Sequence, residues 1–170
     1  SGEGWITLTT HNFSASRINS HELDKLTTPA VTFTAKVSGE FPETSYPTDF
    51  KLVLKEGAQV MFCKNDPSEH KAFFNGRIGT VKAIDSEKVK VECKRTDGSG
   101  SMETIEVTPL AWINTKYVTD SDTGEIKQED AGSFIQIPLR TAWAITIHKS
   151  QGLTFDHTVI DAGHAFSHGQ

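Results

Sequence analysis

The stretch from Trp143 to Asp161 constrains this chain more than any other. An apolar run, Trp143-Ala144-Ile145 with Ile147, stops at the polar cluster His148-Lys149-Ser150-Gln151. Gly152 follows, and then a second apolar run, Thr158-Val159-Ile160-Asp161. That order describes a buried strand delivering hydrogen-bonding groups to a sheet edge, a turn where backbone comes close to a neighbour, and another buried strand. Strand ends of open α/β sheets are where ligands bind. Thr146, His148 and Lys149 bring a hydroxyl, an imidazole N–H and an ammonium to one such end, a donor set that suits a phosphate. Taken alone, these residues also fit a polar loop between two core strands.

The opening of the chain repeats the arrangement. Trp5 to Thr10 alternates and is β-branched, which predicts a strand. It ends at the polar tip Thr10-His11-Asn12, and a helix is predicted over Ser14 to Leu26, with Asn12 or Ser14 as its N-cap. Ala15, Ile18, Leu23 and Leu26 fall within about 140° of one another at the helical period, giving the helix one apolar face. Simple capping is the structural reading of Asn12. Val31 to Val37 then alternates as a further strand, and Gly39 to Asp49, with Pro42 and Pro47, is a turn-rich connector.

From Lys51 the character changes. Leu52-Val53-Leu54, Gln59 to Cys63, Gly79 to Ile84, Val89 to Cys93 and Thr104 to Val107 are short strands separated by turn signals such as Asn75-Gly76 and Asp97-Gly98-Ser99-Gly100. Val89, Val91 and Cys93 face one way while Lys90, Glu92 and Lys94 face the other, so the sheet is half-exposed. Close-spaced short strands without helices predict a small antiparallel barrel. Set between α/β pieces, it is an insertion.

Bulk properties exclude several classes. No apolar run among the 170 residues approaches the roughly 20 needed to span a bilayer, and no signal-peptide pattern opens the sequence. Cys63 and Cys93 lie in strand-like runs without metal-ligand spacing, so they read as buried reduced thiols of a cytoplasmic protein. Asp120-Ser121-Asp122-Thr123-Gly124-Glu125 lacks the later ligands of a calcium loop and reads as a solvated turn. His164 and His168 sit four apart without a third ligand at fitting distance, so no metal site is expected. A domain that grips nucleic acid by itself usually carries a basic surplus. The net charge of −5 therefore requires any such contact to be local and shared with something outside the chain.

Residues 144–152, ending Ile147-His148-Lys149-Ser150-Gln151-Gly152, resemble motif V of superfamily-one helicases in the wording of the RecD/Pif branch. Leu8-Thr9-Thr10-His11-Asn12 and Arg17-Ile18-Asn19 resemble motif IV. The phrases 54–61, Lys64-Asn65-Asp66 and 74–79 are similar to the opening of that branch's inserted SH3-like barrel, and Gln136 to Arg140 to the return from it. The resemblance runs from Leu8 to Gln170 in consistent order.

It implies an α/β fold: a partial RecA-like second motor domain of the P-loop NTPase type over 1–54 and 136–170, interrupted by a small antiparallel SH3-like β-barrel over 55–135. It implies an ATP-dependent five-prime to three-prime DNA helicase as parent protein, with ATP and Mg2+ as the parent's cofactors. The chain contains no G-x-x-x-x-G-K-[ST] loop and ends where motif VI, with its arginine finger, would follow. The fragment is therefore expected to contain no catalytic residue, to bind neither cofactor alone, and neither to hydrolyse ATP nor to unwind DNA. Its implied partners are single-stranded DNA and the missing N-terminal RecA-like domain of the same protein, with no membrane.

By the same resemblance Thr146 and His148 contact the DNA backbone, Lys149 adds charge, and Thr10, His11 and Asn12 line the same track. Ser150, Gln151 and Gly152 couple that grip to the nucleotide site, while Thr154 stands where many relatives carry a ribose-touching glutamate. Lys64, Lys71, Arg77 and Lys82 are the insert's candidate cationic contacts, and Phe62, Phe73, Phe74 and Trp112 are expected in its core. The alternative is a non-catalytic module, centred on the barrel, that binds nucleic acid or a peptide.

Overall fold

A computed structural model of the chain describes residues 4–153, 155 and 158–160. β1 (Ile6–Thr9) buries Ile6 and Thr9 and leads into α1 (Asn12–Lys25). The helix begins ahead of the predicted Ser14, and its cap position falls on His11, in extended backbone. Ala15 is buried, and Leu23 and Leu26 pack against the main core, as the apolar face predicts.

The single strand expected over Val31 to Val37 is two, β2 (Val31–Thr34) and β3 (Lys36–Gly39). At the buried Ala35 the chain leaves one sheet for another, and the Ala35 N–H turns to the Phe50 carbonyl at 2.7 Å. One turn of 3-10 helix (Glu43–Ser45) lies in the connector. Then come β4 (Lys51–Leu54), β5 (Gln59–Phe62), β6 (Ile78–Asp85), β7 (Lys88–Lys94) and β8 (Met102–Val107). A long hairpin follows, β9 (Leu110–Thr119) and β10 (Ile126–Gln136), and after it β11 (Leu139–Thr141), β12 (Ala144–Thr146), the single-turn α2 (Ile147–Ser150) and β13 (Thr158–Ile160).

β12, β1 and β13 form a parallel sheet with β1 in the middle. Parallel neighbours need a long crossover, and here the crossover from β1 to β12 carries α1 and everything inserted behind it. The remaining ladders are antiparallel: β11-β5-β6-β7-β8, β2-β4 and β3-β10-β9. The five-stranded sheet is an open row with β11 and β8 at its edges, and no closed barrel is found among the described residues.

Phe33, Leu52, Leu54, Val60, Phe62, Val81, Val91 and Leu139 share one core between the two-stranded and five-stranded sheets. Each large side chain fully buried there contributes about 1.5–3 kcal/mol, enough to hold the two sheets as one unit.

Two buried glutamines fasten the pieces. The Gln59 amide donates to the Trp5 and Ala142 carbonyls at 2.7 and 2.8 Å, and its oxygen accepts the Gly4 N–H at 2.9 Å, tying the parallel sheet to β5. The Gln136 amide donates to the carbonyls of Phe33, Asp49 and Phe50. At the hairpin tip the Asp120 carboxylate accepts Lys127 Nζ at 2.9 Å and the N–H groups of Asp122 and Thr123. These contacts hold its pKa below the usual carboxylate range, Lys127 contributing most, in a solvated turn of the kind the sequence suggests. No helix among the described residues is long and apolar enough to cross a membrane.

Candidate nucleic-acid interface

The parallel register pairs Thr9 with Thr146. Because both strands run the same way, the tips that follow them emerge at one edge: Thr10-His11-Asn12 from β1 and Ile147-His148-Lys149 from β12. Residues from opposite ends of the sequence thus share one surface. At the first tip the buried Thr9 hydroxyl donates to the His11 carbonyl at 3.1 Å, and Thr10 Oγ1 lies 2.8 Å from His11 Nδ1. The N-terminus of α1 opens here with no acidic residue in its first turn, so its positive pole favours anions.

At the second tip Thr146 is 5% exposed, and its hydroxyl oxygen accepts the Lys149 N–H at 3.2 Å as the cap of α2. That leaves the hydroxyl proton as the group it offers outward. Ser150 Oγ donates to the Ile147 carbonyl at 2.7 Å, so its hydroxyl proton is engaged within the turn. His148, Lys149 and Gln151 are exposed. Gly152 has φ +79°, the left-handed region that favours glycine. An added Cβ there would meet no described atom within 4 Å, so the turn needs glycine for its backbone hand, and the close approach expected from sequence is not seen. Thr154, His164 and His168 lie outside the described residues.

Asn19 fixes the two tips relative to each other. Its Oδ1 accepts the N–H groups of Trp143 and Ala144 at 2.9 and 2.8 Å, and its Nδ2 donates to the Ala144 carbonyl at 2.9 Å. A single helical amide thereby holds the entry to β12. Only the motif wording around Arg17-Ile18-Asn19 signalled it in the sequence.

Two adjoining clefts, of about 530 and 330 Å³, flank Lys149 and share Asp49, Arg140 and Ile145 in their walls. In the smaller cleft Asn12, Ser16 and Ser20 of α1 face Lys51, Arg140 and Lys149. Arg140, on β11, donates to the Pro47 carbonyl. Sequence reading missed it as a site residue because a lone arginine after an apolar pair carries no signal of its own. The Lys149 side chain is exposed overall, yet its pKa is held below the usual lysine value, first by partial burial and then by Arg140, with Asp49 opposing. Cys63, beside Arg140 and Thr48, has its thiol pushed up to about 11 by burial against the opposing pull of Arg140. Cys93 is raised to about 11, again by burial. Both cysteines are free.

The insert's candidate contacts do not gather at this edge. Arg77 is 7% exposed and donates to the carbonyls of Ala72 and Lys94 and to Glu103, so it is an internal brace and is withdrawn as a DNA contact. Lys82 pairs with Glu92 at 3.4 Å, Lys64 lies 5.3 Å from the centre of the Trp112 ring, and Lys71 is exposed. Phe62 and Phe73 are in the core as expected, whereas Phe74 is exposed. Among the described residues no group of three or more potential metal ligands comes together.

No protein-family model matches the chain. The ATP-dependent DNA helicase Pif1 of Psychrobacter sp. is 31% identical over 208 residues, covering 96% of this chain and 31% of the relative. The crystal structure of Bacteroides sp Pif1 in complex with ADP-AlF4 is 37% identical, with a TM-score of 0.82, over 99% of this chain and 36% of that one. The homologues of this chain are Pif1 helicases. The chain spans about a third of the length of these Pif1 relatives. Bacteroides Pif1 bound to ssDNA matches over 94% of this chain and 35% of its own, with a TM-score of 0.74 and 36% identity.

Proposed function

We propose that this chain is the strand-gripping half of an ATP-dependent DNA helicase motor that moves five-prime to three-prime along single-stranded DNA. The observation that carries the reading is the Thr9–Thr146 register, which sets Thr10, His11 and Asn12 beside Thr146, His148 and Lys149 on one cationic, hydroxyl-bearing edge. The relatives named as ATP-dependent DNA helicases, and the Bacteroides Pif1 structure bound to ssDNA, support it.

In this reading the short side chains at the two tips hold successive phosphates without reading bases, since backbone contacts position a strand but carry no sequence information. The ammonium of Lys149 supplies charge, and the imidazole of His148 supplies an N–H. Ser150, Gln151 and Gly152 form the turn through which movement at a neighbouring nucleotide site reaches the grip. That site is proposed to lie elsewhere in the parent, since the sequence contains no phosphate loop. ATP and Mg2+ are assigned to the N-terminal RecA-like domain of the parent and its cleft, and the chain alone is proposed to be inactive as an ATPase.

The open five-stranded sheet, with β2-β4 on the same core, is read as the SH3-like insert. The shared core argues for drawing the insert's packing unit wider than 55–135, to take in β2, β4 and β11. The alternative of a binding module centred on the insert is not favoured, since one of its candidate cations, Arg77, is spent internally.

Fluorescence anisotropy of a labelled oligo-dT at low and moderate salt tests the reading. The chain should bind weakly and with a steep salt dependence, and His148→Ala with Lys149→Ala should weaken binding by at least about tenfold. Equal affinity in the double variant would move the contact to the insert.

A further inference from the structure

The larger cleft is lined by residues of two kinds. The connector contributes Tyr46 and Phe50, their rings nearly parallel at 21° with centres 6.2 Å apart. Tyr46 is backed by the fully buried Phe134, with ring centres 4.7 Å apart. The Phe50 carbonyl is fixed by the Ala35 N–H at 2.7 Å and by Gln136 Nε2 at 3.2 Å, while its side chain is 38% exposed. An aromatic ring anchored from behind and open in front is a stacking platform for a base.

Arg140, which donates to the Pro47 carbonyl of the same connector, and Lys149 also line the cleft, with the apolar Met61 and Ile145. The two cations are close enough for Arg140 to disfavour the charged form of Lys149, and Asp49 is the carboxylate facing them. One carboxylate against two cations leaves a net positive charge. The volume of about 530 Å³ lies within the roughly 300–1,000 Å³ of pockets that enclose small molecules. Lined by aromatic rings and by cations together, the cleft offers partners for both the base and the phosphate of a nucleotide.

We propose that this cleft takes one nucleotide of the bound strand, its phosphate at Arg140 and Lys149 and its base against Phe50 with Tyr46 behind. Asn75 also lines the cleft and would offer an amide to the base edge. The inference rests on the strand-gripping reading and adds to it a base-contacting subsite that the sequence did not signal. Phosphate contacts fix the backbone, and stacking works with any base because every base has a π-face. The subsite therefore adds affinity without choosing a sequence.

The test compares an oligo-dT with an abasic deoxyribose-phosphate strand of equal length, using the full chain and its Phe50→Leu variant, with thermal melting to confirm that the variant is folded. The intact strand should bind the unaltered chain at least about fivefold more tightly than the abasic one. Phe50→Leu should bring the intact strand down towards the abasic affinity, and 2-aminopurine placed in the strand should be quenched by the unaltered chain more than by the variant. Equal binding of intact and abasic strands would overturn the subsite and leave the phosphate grip standing. No binding of either strand at low salt would overturn the grip, and the subsite with it. Competition by free dTMP at micromolar concentration would reassign the cleft to a free nucleotide. If Phe50→Leu fails to melt cooperatively, Phe50→Tyr takes its place. That variant keeps the ring and should keep the preference for the intact strand, and losing it would count against stacking.

Discussion

The five-stranded sheet and the parallel sheet's edge both carry cations, but they hold them differently. Across the ladders from β6 to β8, Lys82 meets Glu92 at 3.4 Å, Lys88 meets Glu106 at 3.3 Å, and Arg95 meets Glu103 at 3.2 Å. Those positive charges are matched by neighbours one strand away, which is how an exposed sheet face stays soluble without inviting ligands. Beside the parallel edge Lys149 shares a cleft with Asp49 and with Arg140, which enters from β11, the outermost strand of the five-stranded sheet, and the neighbouring His148 is exposed. Cations gathered faster than their counter-charges make a site, even in a chain whose net charge is −5.

If the insert is scaffold and the edge is grip, substitutions should separate into those that move stability and those that move binding. The largest effect on stability belongs to Phe62→Ala, at a ring that is fully buried and stacked on Phe73 at 4.5 Å. It should cost about 3–5 kcal/mol in denaturant titration. Asn19→Ala comes next, since it strands the N–H groups of Trp143 and Ala144 at the entry to β12. A loss of about 1–3 kcal/mol is expected, together with weaker DNA binding, because the same amide aligns the two tips.

A smaller effect sharpens the electrostatic side. Lys149 binds protons less readily than an ordinary lysine, so in the window between its lowered folded pKa and the unfolded value the unfolded chain holds more protons. Stability contributed through this residue should rise as pH climbs through that window. DNA affinity should move the opposite way, falling at a lower pH than for an unperturbed lysine, and Lys149→Arg should flatten the fall in an anisotropy series. The smallest effect is Lys88→Ala on the insert. Its pair is exposed on both sides, so melting should shift by no more than about 0.5 kcal/mol and oligo-dT affinity should not change.

Much of the fold was legible locally. The β-branched runs at Ile6–Thr9 and Ala144–Thr146, the apolar face of α1, and the alternation at Lys88–Lys94 each declare themselves through periodicity. The departures have tertiary causes. Val31 to Val37 reads as one strand because nothing local announces that the chain changes sheets at Ala35. The β9–β10 hairpin is not announced locally, because its outer half sets Tyr117, Val118 and Ile126 among polar residues such as Lys116, Glu129 and Asp130 and leaves most of them exposed, without sustained alternation. At the site, the residue types at each tip were readable and their meeting was not, since the Thr9–Thr146 register joins distant segments. Arg140 and Phe50 acquire meaning only from what the connector and β11 place around them.

The crossover that separates β1 from β12 also sets an order of assembly. Most of the chain lies between the two strands, and closing so long a loop is entropically costly until part of it has condensed. Once the insert has folded, it shortens the effective loop, with each halving worth about 0.6 kcal/mol. Gln59 then presents the contacts on which Trp5 and Ala142 dock. The edge where the two tips meet is thus the last part to close, and a chain caught mid-synthesis, with β1 made and β12 not yet emerged, has half of the proposed handhold and no cleft.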